Sequence, residues 1–344
     1  MATYKGIRGI TIQTVEGDIG TVQLGDIWYS NVTRKIRVGK TAAAAWSSGG
    51  NINNERQELA GTGDQTAALI TGGKDVSPAI TKHCEIYDGS SWTEIADLNA
   101  FRGNVAGNIG TTTAAIIAGG GPTILVPWTA GPGGVQDEVE EWNGTSWTEI
   151  ADINTARYAA GGSGTVTAAV IFGGGGTSES PDQTVFAETW NGTSWTETAD
   201  MSRPGGRTWF GEAGKSSTAA IAFGGAPGNQ DLTETWDGSS WTEVADLNTG
   251  RRYNMGFGTS TLAVSASGYV TNAVVGNVEQ WDGSSWAEVA NVSTSRYNAG
   301  SAGTSAAGLI AGGDRNAPLP APGMSVLTEE WTGESTDAAS VTSS

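Results

Sequence analysis

Residues 140 to 149 read EEWNGTSWTE, and this ten-residue pattern decides the fold of the chain. It combines a Glu, two aromatic residues around Asn-Gly or Asp-Gly, and a second Glu. Its five copies start at Glu85, Glu140, Glu188, Glu234 and Glu279, at intervals of 45 to 55 residues. A repeat of this length is typical of propellers and solenoids. Asn-Gly or Asp-Gly between two short aromatic runs indicates a β-hairpin.

A second repeated piece precedes each hairpin. It consists of an Arg, a Gly-rich stretch and a run of small apolar residues that ends in Gly-Gly in all but one copy. The six copies start at Arg56, Arg102, Arg157, Arg207, Arg252 and Arg296. We predict four strands per repeat: strand a after the Arg, strand b in the small-residue run, and strands c and d in the hairpin. Buried tryptophans fill the space between outer strands, namely Trp92, Trp142, Trp147, Trp190, Trp195, Trp236, Trp241, Trp281, Trp286 and Trp331.

The sixth hairpin is divided between the two ends of the chain. Residues 328–331 supply a strand c without a following Trp, and residues 44–51 supply a strand d without a strand c. We therefore predict six blades, with the closing blade shared between N-terminal and C-terminal strands. Such closure removes the exposed edges of the sheets.

The combination of an apolar strand, Gly-Gly, a variable loop and spaced aromatics resembles the kelch repeat family over about residues 42–332. The tight, regular Trp pairs are more similar to the kelch-like repeats of tailed-phage proteins. Residues 25–38 also resemble a hairpin motif of phage fibre and virion proteins. The resemblance implies an all-β, six-bladed kelch-like β-propeller at 41–332. We expect an N-terminal hairpin or attachment segment at 1–40 and a flexible C-terminal tail at 333–344.

Composition excludes several classes of function. The formal net charge of −18 opposes binding to nucleic acid or to anionic lipid. The start of the chain lacks an apolar signal core, and no stretch reaches membrane-spanning length. One Cys (Cys84) and one His (His83) are too few for the usual zinc sites or for a copper site of the galactose-oxidase type. We expect no cofactor and no metal site.

The two Glu residues of each hairpin pose an electrostatic question. If Trp142 pairs with Trp147, then Glu140 lies opposite Glu149, and like charges in that position are destabilising. An offset register or side chains that splay into water would relieve the repulsion. The alternative is a bound cation such as Ca²⁺, although two carboxylates supply too few ligands for it.

Most repeat arginines follow an Asp or Asn by five residues, as in Asp97/Arg102 and Asp152/Arg157. We interpret this spacing as an ion pair, or a bond from Arg to a carbonyl, that clamps neighbouring blades together. The alternative is a functional ring of arginines that binds an anionic ligand at the channel mouth.

The b–c loops vary in length and chemistry and lie at the same end of the blades as the d–a connections. Loops on a rigid scaffold often carry function. The candidate binding residues on these loops are Ile124, Leu125, Trp128, Asp182, Asp231, Asp314 and Arg315. An alternative for the loop around Trp128 is that it folds over the channel mouth or packs on a neighbouring subunit.

We expect a non-enzymatic binding or structural protein, most simply an external virion component such as a tail-fibre, receptor-binding or capsid-decorating protein. Its partners would be other virion proteins, a host surface glycan or further copies of the chain, and it would assemble in the host cytoplasm. One alternative is a cytoplasmic kelch-type scaffold for protein partners. Another is a glycoside hydrolase that uses two of the many carboxylates.

Overall fold

The computed structural model describes residues 12–19, 22–23, 25–75, 80–104, 106–121, 134–176, 184–315 and 323–340. Within these ranges the protein is all-β, with 28 strands, no helix and seven four-stranded sheets. Two compact units are distinguished. One comprises residues 1–45 and 333–344, and the other comprises residues 46–332.

Three sheets come from the first half of the larger unit, and in each the four strands follow one another in space and pair antiparallel. The first sheet is β5 (Ala60–Asp64), β6 (Ala67–Thr71), β7 (Cys84–Tyr87) and β8 (Trp92–Glu94). The second is β9 (Ala106–Gly110), β10 (Ala115–Ala118), β11 (Val139–Trp142) and β12 (Trp147–Ile150). The third is β13 (Gly161–Thr165), β14 (Ala168–Phe172), β15 (Ala187–Trp190) and β16 (Trp195–Thr198).

Two further sheets follow the same plan, and the sixth takes its last strand from near the N-terminus. The fourth is β17 (Gly211–Ser216), β18 (Ala219–Phe223), β19 (Thr233–Trp236) and β20 (Trp241–Val244). The fifth is β21 (Met255–Gly258), β22 (Ala263–Val270), β23 (Ala273–Trp281) and β24 (Trp286–Glu288). The sixth is β25 (Gly300–Gly303), β26 (Ala307–Ala311), β27 (Thr328–Thr332) and β4 (Ala45–Ser48).

The first strands of these six sheets are neighbours around a closed circle. Strands β5, β9, β13, β17, β21 and β25 lie side by side in that order, and β25 lies beside β5. The fold is therefore propeller-like. The sixth sheet joins β4, from near the N-terminus, to β27 from near the C-terminus, which confirms the predicted sharing of one sheet by the two ends. Trp46 on β4 packs against Trp331 on β27, with ring centroids 5.2 Å apart.

The seventh sheet belongs to the smaller unit. Its order is β1 (Gln13–Val15), β2 (Ile27–Ser30), β3 (Lys35–Ala42) and β28 (Ser335–Ser340). Strands β2 and β3 form an antiparallel hairpin. The prediction of a flexible tail at 333–344 is corrected by the structure, in which Ser335–Ser340 pairs along the other edge of β3. A polar segment can form a strand where a partner leaves its backbone groups open for hydrogen bonding.

The ten tryptophans predicted on strands c and d are buried, whereas Trp46 on β4 is partly exposed. In the second sheet the rings of Trp142 and Trp147 lie 5.3 Å apart across the hairpin. The indole N–H of Trp142 donates to the carbonyl of Thr112 in the same sheet. That of Trp147 donates to the carbonyl of Ala96, just after the last strand of the first sheet. The strand d tryptophan thus ties its sheet to the preceding one.

A buried ion pair is present in each of the six sheets. In the third sheet, Arg157 Nη2 lies 2.5 Å from Glu188 Oε1 on strand c, and both side chains are fully buried. Nη1 of Arg157 donates to the carbonyl of Phe186. The other Glu188 oxygen accepts bonds from the backbone N–H and the side-chain amide of Asn154, in the connection from the second sheet. The equivalent pairs are Arg56–Glu85, Arg102–Glu140, Arg207–Glu234, Arg251–Glu279 and Arg296–Glu329.

These pairs correct two expectations about the repeat arginines. The acidic residues five positions earlier are not the partners, since Asp97 and Asp152 are exposed and the arginines bind strand c glutamates. The prediction of Arg252 as the repeat arginine of the fifth sheet is wrong, because Arg251 forms the buried ion pair there. The spacing from Asn248, which contacts Glu279, identifies the equivalent position. Asn248 precedes Arg251 by three residues, as Asn154 precedes Arg157.

The opposed glutamates are in direct register, so the expected offset is also wrong. Glu188 lies opposite Glu197 in the third sheet, and Glu140 lies opposite Glu149 in the second. The first member of each pair is buried and the second is exposed. The repulsion is relieved because the buried member is neutralised by an arginine, while the exposed member is solvated by water. The arginine thus supplies the positive charge beside the glutamate pair, which a bound metal ion would otherwise have had to supply.

Candidate functional site

A ring of six residues with left-handed backbone conformation lies where the connections enter the first strands. Each stands two positions after a buried arginine. They are Glu58 (φ 60°), Asn104 (48°), Ala159 (49°), Trp209 (51°), Tyr253 (57°) and Asn298 (55°). We call these six residues the αL ring.

Backbone hydrogen bonds close the αL ring. Each N–H donates to the carbonyl of the ring residue in the preceding sheet, with N···O distances of 2.7 to 3.4 Å. The circuit runs from Asn104 to Glu58, and from Glu58 to Asn298, so that the first and sixth sheets are joined like any other neighbours. These bonds occupy the backbone N–H and carbonyl groups of all six ring residues. The side chains therefore determine the chemistry of the ring.

The residue types in the αL ring do not suit its backbone. Left-handed conformation costs an L-residue roughly 1–2 kcal/mol, and Gly, Asn and Asp tolerate it best. Asn104 and Asn298 fit this requirement. Glu58, Ala159, Trp209 and Tyr253 do not, although the same backbone geometry accepts Asn elsewhere in the ring. Strained residues of this kind concentrate at functional sites, and of these four Glu58, Trp209 and Tyr253 have side chains large enough to contact a ligand, which makes them candidates for function.

The αL ring surrounds a cavity of about 80 Å³. Trp209 and Tyr253 form an aromatic wall, with ring centroids 5.1 Å apart. Polar contacts continue from this wall, because the Trp209 indole N–H donates to Asn104 Oδ1 and the Asn104 amide donates to Glu58 Oε2 at 3.0 Å. Burial raises the pKa of the Glu58 carboxyl, and Lys74 opposes that shift. An aromatic wall beside amide and carboxyl groups can stack on a ligand and hydrogen-bond to it.

Glu212 on β17 is the second departure from the repeat at this cavity. It stands five residues after Arg207, where the other sheets hold Gly61, Gly107, Gly162, Gly256 and Ser301. A Cβ at Gly256 would lie 2.3 Å from the Glu212 carbonyl oxygen, which explains why small residues prevail there. Glu212 lines the αL ring cavity and a smaller one of about 30 Å³ further along the first strands. Burial raises its pKa to about 8.

Lys215 spans the smaller cavity. Its Nζ donates to the carbonyl of Gly63 at 2.8 Å and lies 3.8 Å from Asp64. Lys215 belongs to the fourth sheet and Gly63 to the first, which are three positions apart around the circle of six. The side chain therefore crosses the centre of the larger unit at this end. A ligand that enters from the αL ring reaches Glu212 without passing the Lys215 side chain.

The loop residues predicted as a binding site do not line the αL ring cavity where the structure describes them. Ile124, Leu125, Trp128 and Asp182 lie outside the described residues. Asp231 and Arg315 are exposed on b–c loops, and Asp314 is buried beside Tyr297; none of the three lines the αL ring cavity. The cavity nonetheless lies at the end of the sheets where those loops begin, because the αL ring is part of the d–a connections.

Other chemistry is limited in the part of the chain that the structure describes. No group of three or more His, Cys, Asp or Glu side chains is arranged to hold a metal ion there. Cys84 is buried, which raises its pKa to about 12 and keeps it as a thiol. The exposed His83 imidazole lies 3.5 Å from Asp97. The described ranges contain no helix that is long and apolar enough to cross a bilayer.

Comparison with known proteins supports the fold. No family model and no curated protein matches the chain. A solved structure entitled "Structure of YjhT" is similar to it, with a TM-score of 0.66 over 84% of this chain and 99% of the other, at 13% sequence identity. Identity this low carries information about architecture alone. The likeness and the circle of four-stranded antiparallel sheets together support a propeller fold for this chain.

Proposed function

We propose that this chain is a non-enzymatic binding protein that takes a glycan at the αL ring. The observation that carries the proposal is the presence of Trp209 and Tyr253 at backbone positions that disfavour them. Aromatic rings stack on the apolar faces of sugars, and Asn104, Asn298 and Glu58 offer amides and a carboxyl for hydroxyl groups. These side chains line one cavity.

The size of the cavity favours binding over catalysis. Its volume of about 80 Å³ accommodates a few water molecules or one exocyclic group of a sugar. Pockets that enclose a small-molecule ligand usually measure about 300–1,000 Å³. A sugar ring would therefore rest on Trp209 and Tyr253 at the rim and extend into solvent, as the residues of a longer surface glycan must.

Glycoside hydrolysis is the second candidate, because Glu58 and Glu212 line the same cavity. Hydrolysis requires one protonated carboxyl and one ionised carboxylate, held apart in pKa by different surroundings. Here burial raises the pKa of both carboxyls. The surroundings shift both pKa values in the same direction rather than apart, which is why we favour binding.

We also propose the biological setting that the sequence suggests. The six sheets of the larger unit are six blades of a kelch-like propeller of the tailed-phage type, and the protein is an external virion component. The regular Trp pairs and the hairpin at residues 25–38 support this setting, as does the net charge of −18, which suits an exposed surface. Immunodetection on purified particles, against detection only in host cytosol, separates it from a cytoplasmic scaffold.

A glycan array tests the binding proposal with variants that preserve the fold. Trp209→Asn and Tyr253→Asn are matched to the ring, because Asn104 and Asn298 already hold the same backbone conformation. Wild-type protein is expected to bind a defined set of glycans, and both variants to lose that binding with no loss of thermal stability. Wild-type binding that survives in both variants would place the site elsewhere and refute the proposal.

A further inference from the structure

We propose that the sheet of the smaller unit is an interface between two copies of this chain, formed by an exposed apolar face of strands β2 and β3. This contact is separate from the αL ring and does not depend on the proposed glycan site.

The pairing register places four apolar side chains on one face of the β2–β3 hairpin. Ile27 pairs with Val38 and Tyr29 pairs with Ile36, and residues two apart on a strand point to the same side. Ile27 is 44% exposed and Ile36 is 40% exposed, while Tyr29 and Val38 are half-buried. We call these four residues the apolar face.

The opposite face of the same hairpin is buried. Trp28 is 1% exposed and Ser30 is fully buried, and both alternate along β2 with residues of the apolar face. An antiparallel sheet with one face in water normally carries polar side chains on that face. Here the water-facing positions hold Ile, Tyr and Val, which indicates a covering layer that the described residues do not supply.

Exposed apolar side chains are concentrated in the smaller unit. Seven large apolar side chains are exposed among the described residues, and Ile12, Ile27, Val32 and Ile36 belong to this unit. The unit comprises only residues 1–45 and 333–344, about a sixth of the chain. Ile27 and Ile36 are diagonal neighbours across the hairpin, so the exposure is contiguous. Contiguous apolar exposure marks interaction surfaces, whereas isolated apolar residues do not.

The distribution of charge favours a second copy as the occupant. Residues 1–45 and 333–344 hold six Lys or Arg and five Asp or Glu, so the smaller unit is nearly neutral. Residues 46–332 hold 12 Lys or Arg and 31 Asp or Glu, a formal charge of −19. The larger unit therefore repels an anionic membrane or an acidic partner and draws a basic partner to itself. A nearly neutral apolar face is complementary to another such face, and each copy of the chain provides one.

A two-fold axis would let the same face serve both subunits. In such a dimer, two sheets stack roughly 10 Å apart, and Ile27 and Ile36 of each copy are covered by the other. Every substitution on the apolar face is present twice in the dimer, so its effect is doubled. The face is small, and we therefore expect a dimer of micromolar rather than nanomolar affinity.

The test is sedimentation equilibrium of the chain from about 1 to 200 μM, a range that brackets a micromolar dissociation constant. We expect the mass to rise with concentration from one chain to two. Ile27→Thr and Ile36→Thr should each weaken dimerisation about tenfold or more, because each removes two buried apolar side chains per dimer. Leu262→Thr is the matched control, since Leu262 is 47% exposed but belongs to the larger unit, and it should leave the affinity unchanged.

Salt distinguishes this contact from association through opposite charges. Raising NaCl from about 0.05 to 0.5 M screens the repulsion between the acidic larger units and should strengthen the dimer. A dimer that dissociates at high salt overturns the proposal, because attraction between unlike charges would then hold it together. A dimer that persists with unchanged affinity in both Thr variants overturns it too, because its interface would lie elsewhere.

A chain that stays monomeric throughout the concentration range also overturns the proposal, and the variants then identify the real occupant. Lower thermal stability of monomeric Ile36→Thr would show that other residues of the same chain cover the apolar face. Flotation with phosphatidylglycerol vesicles that is lost in Ile36→Thr would assign the face to a membrane.

Discussion

Removal of the buried member of one opposed glutamate pair should be far more damaging than removal of the exposed member. In Glu188→Ala, Arg157 loses its ion-pair partner, and the backbone and side-chain amides of Asn154 lose their acceptor. Arg157 would remain fully buried with an uncompensated charge, because its side chain is enclosed by the sheet. Breaking a buried pair in this way costs about 3–5 kcal/mol.

The loss can be read as a fall in the thermal midpoint. At an unfolding entropy of about 2.1 cal/mol/K per residue, this 344-residue chain loses about 1.4 °C per kcal/mol. Glu188→Ala is therefore expected to melt about 4–7 °C below wild type in differential scanning calorimetry. Glu197→Ala is the matched control, since Glu197 faces Glu188 across the hairpin but is exposed. Its midpoint should change by less than about 1 °C.

Equal effects of the two substitutions would refute this reasoning. That result would mean that Arg157 finds other acceptors or water when Glu188 is lost. An increase in stability on removing Glu197 would instead measure the repulsion that remains between the two carboxylates.

Three further predictions follow from individual side chains. Wild-type stability should decline between about pH 4.5 and 8, because the folded state retains a proton on Glu212 that the unfolded chain releases. Glu212→Gln should abolish this decline, which urea unfolding across the pH range measures. Ala159→Gly should raise the free energy of unfolding by about 1 kcal/mol, since glycine adopts a φ of 49° without strain, and a lower stability would show that the conformation is not strained. Hydroxyl and amide donors of Ser239 and Ser240 hold the pKa of Asp237 at about 2, so its contribution to stability is present above about pH 4 and is lost as the pH falls through 2. Asp237→Ala should therefore be less stable than wild type at pH 6 and equally stable at pH 1.5. A difference that persists at pH 1.5 would point to another cause.

Much of the sheet architecture could be predicted because each strand carries its own signal. The Trp pair and the Asn-Gly or Asp-Gly turn define the c–d hairpin, in which the two tryptophans pair directly and the expected offset is absent. The divided hairpin at the ends of the chain followed from counting repeats. The partner of each arginine was not predictable by local spacing, because Glu188 is 31 residues from Arg157 and meets it only after strands a to c have assembled.

The site was missed for a different physical reason. Left-handed backbone is expected at Gly or Asn, so Trp209 and Tyr253 read as ordinary residues before a strand. The variability of the position was visible, since the residue two places after the arginine is in turn Glu, Asn, Ala, Trp, Tyr and Asn. The replacement of a small residue by Glu212 was visible as well. Within repeats, a position that departs from its equivalents is a stronger sign of function than the shared residues, which maintain the fold.

The most direct test of the account is a crystal structure of the protein with the tightest-binding glycan from the array. The account predicts a sugar ring against Trp209 and Tyr253, with a polar substituent directed into the cavity toward Glu212. A glycan bound elsewhere, for instance on the loop that contains Trp128, with the αL ring cavity free of ligand, would contradict it.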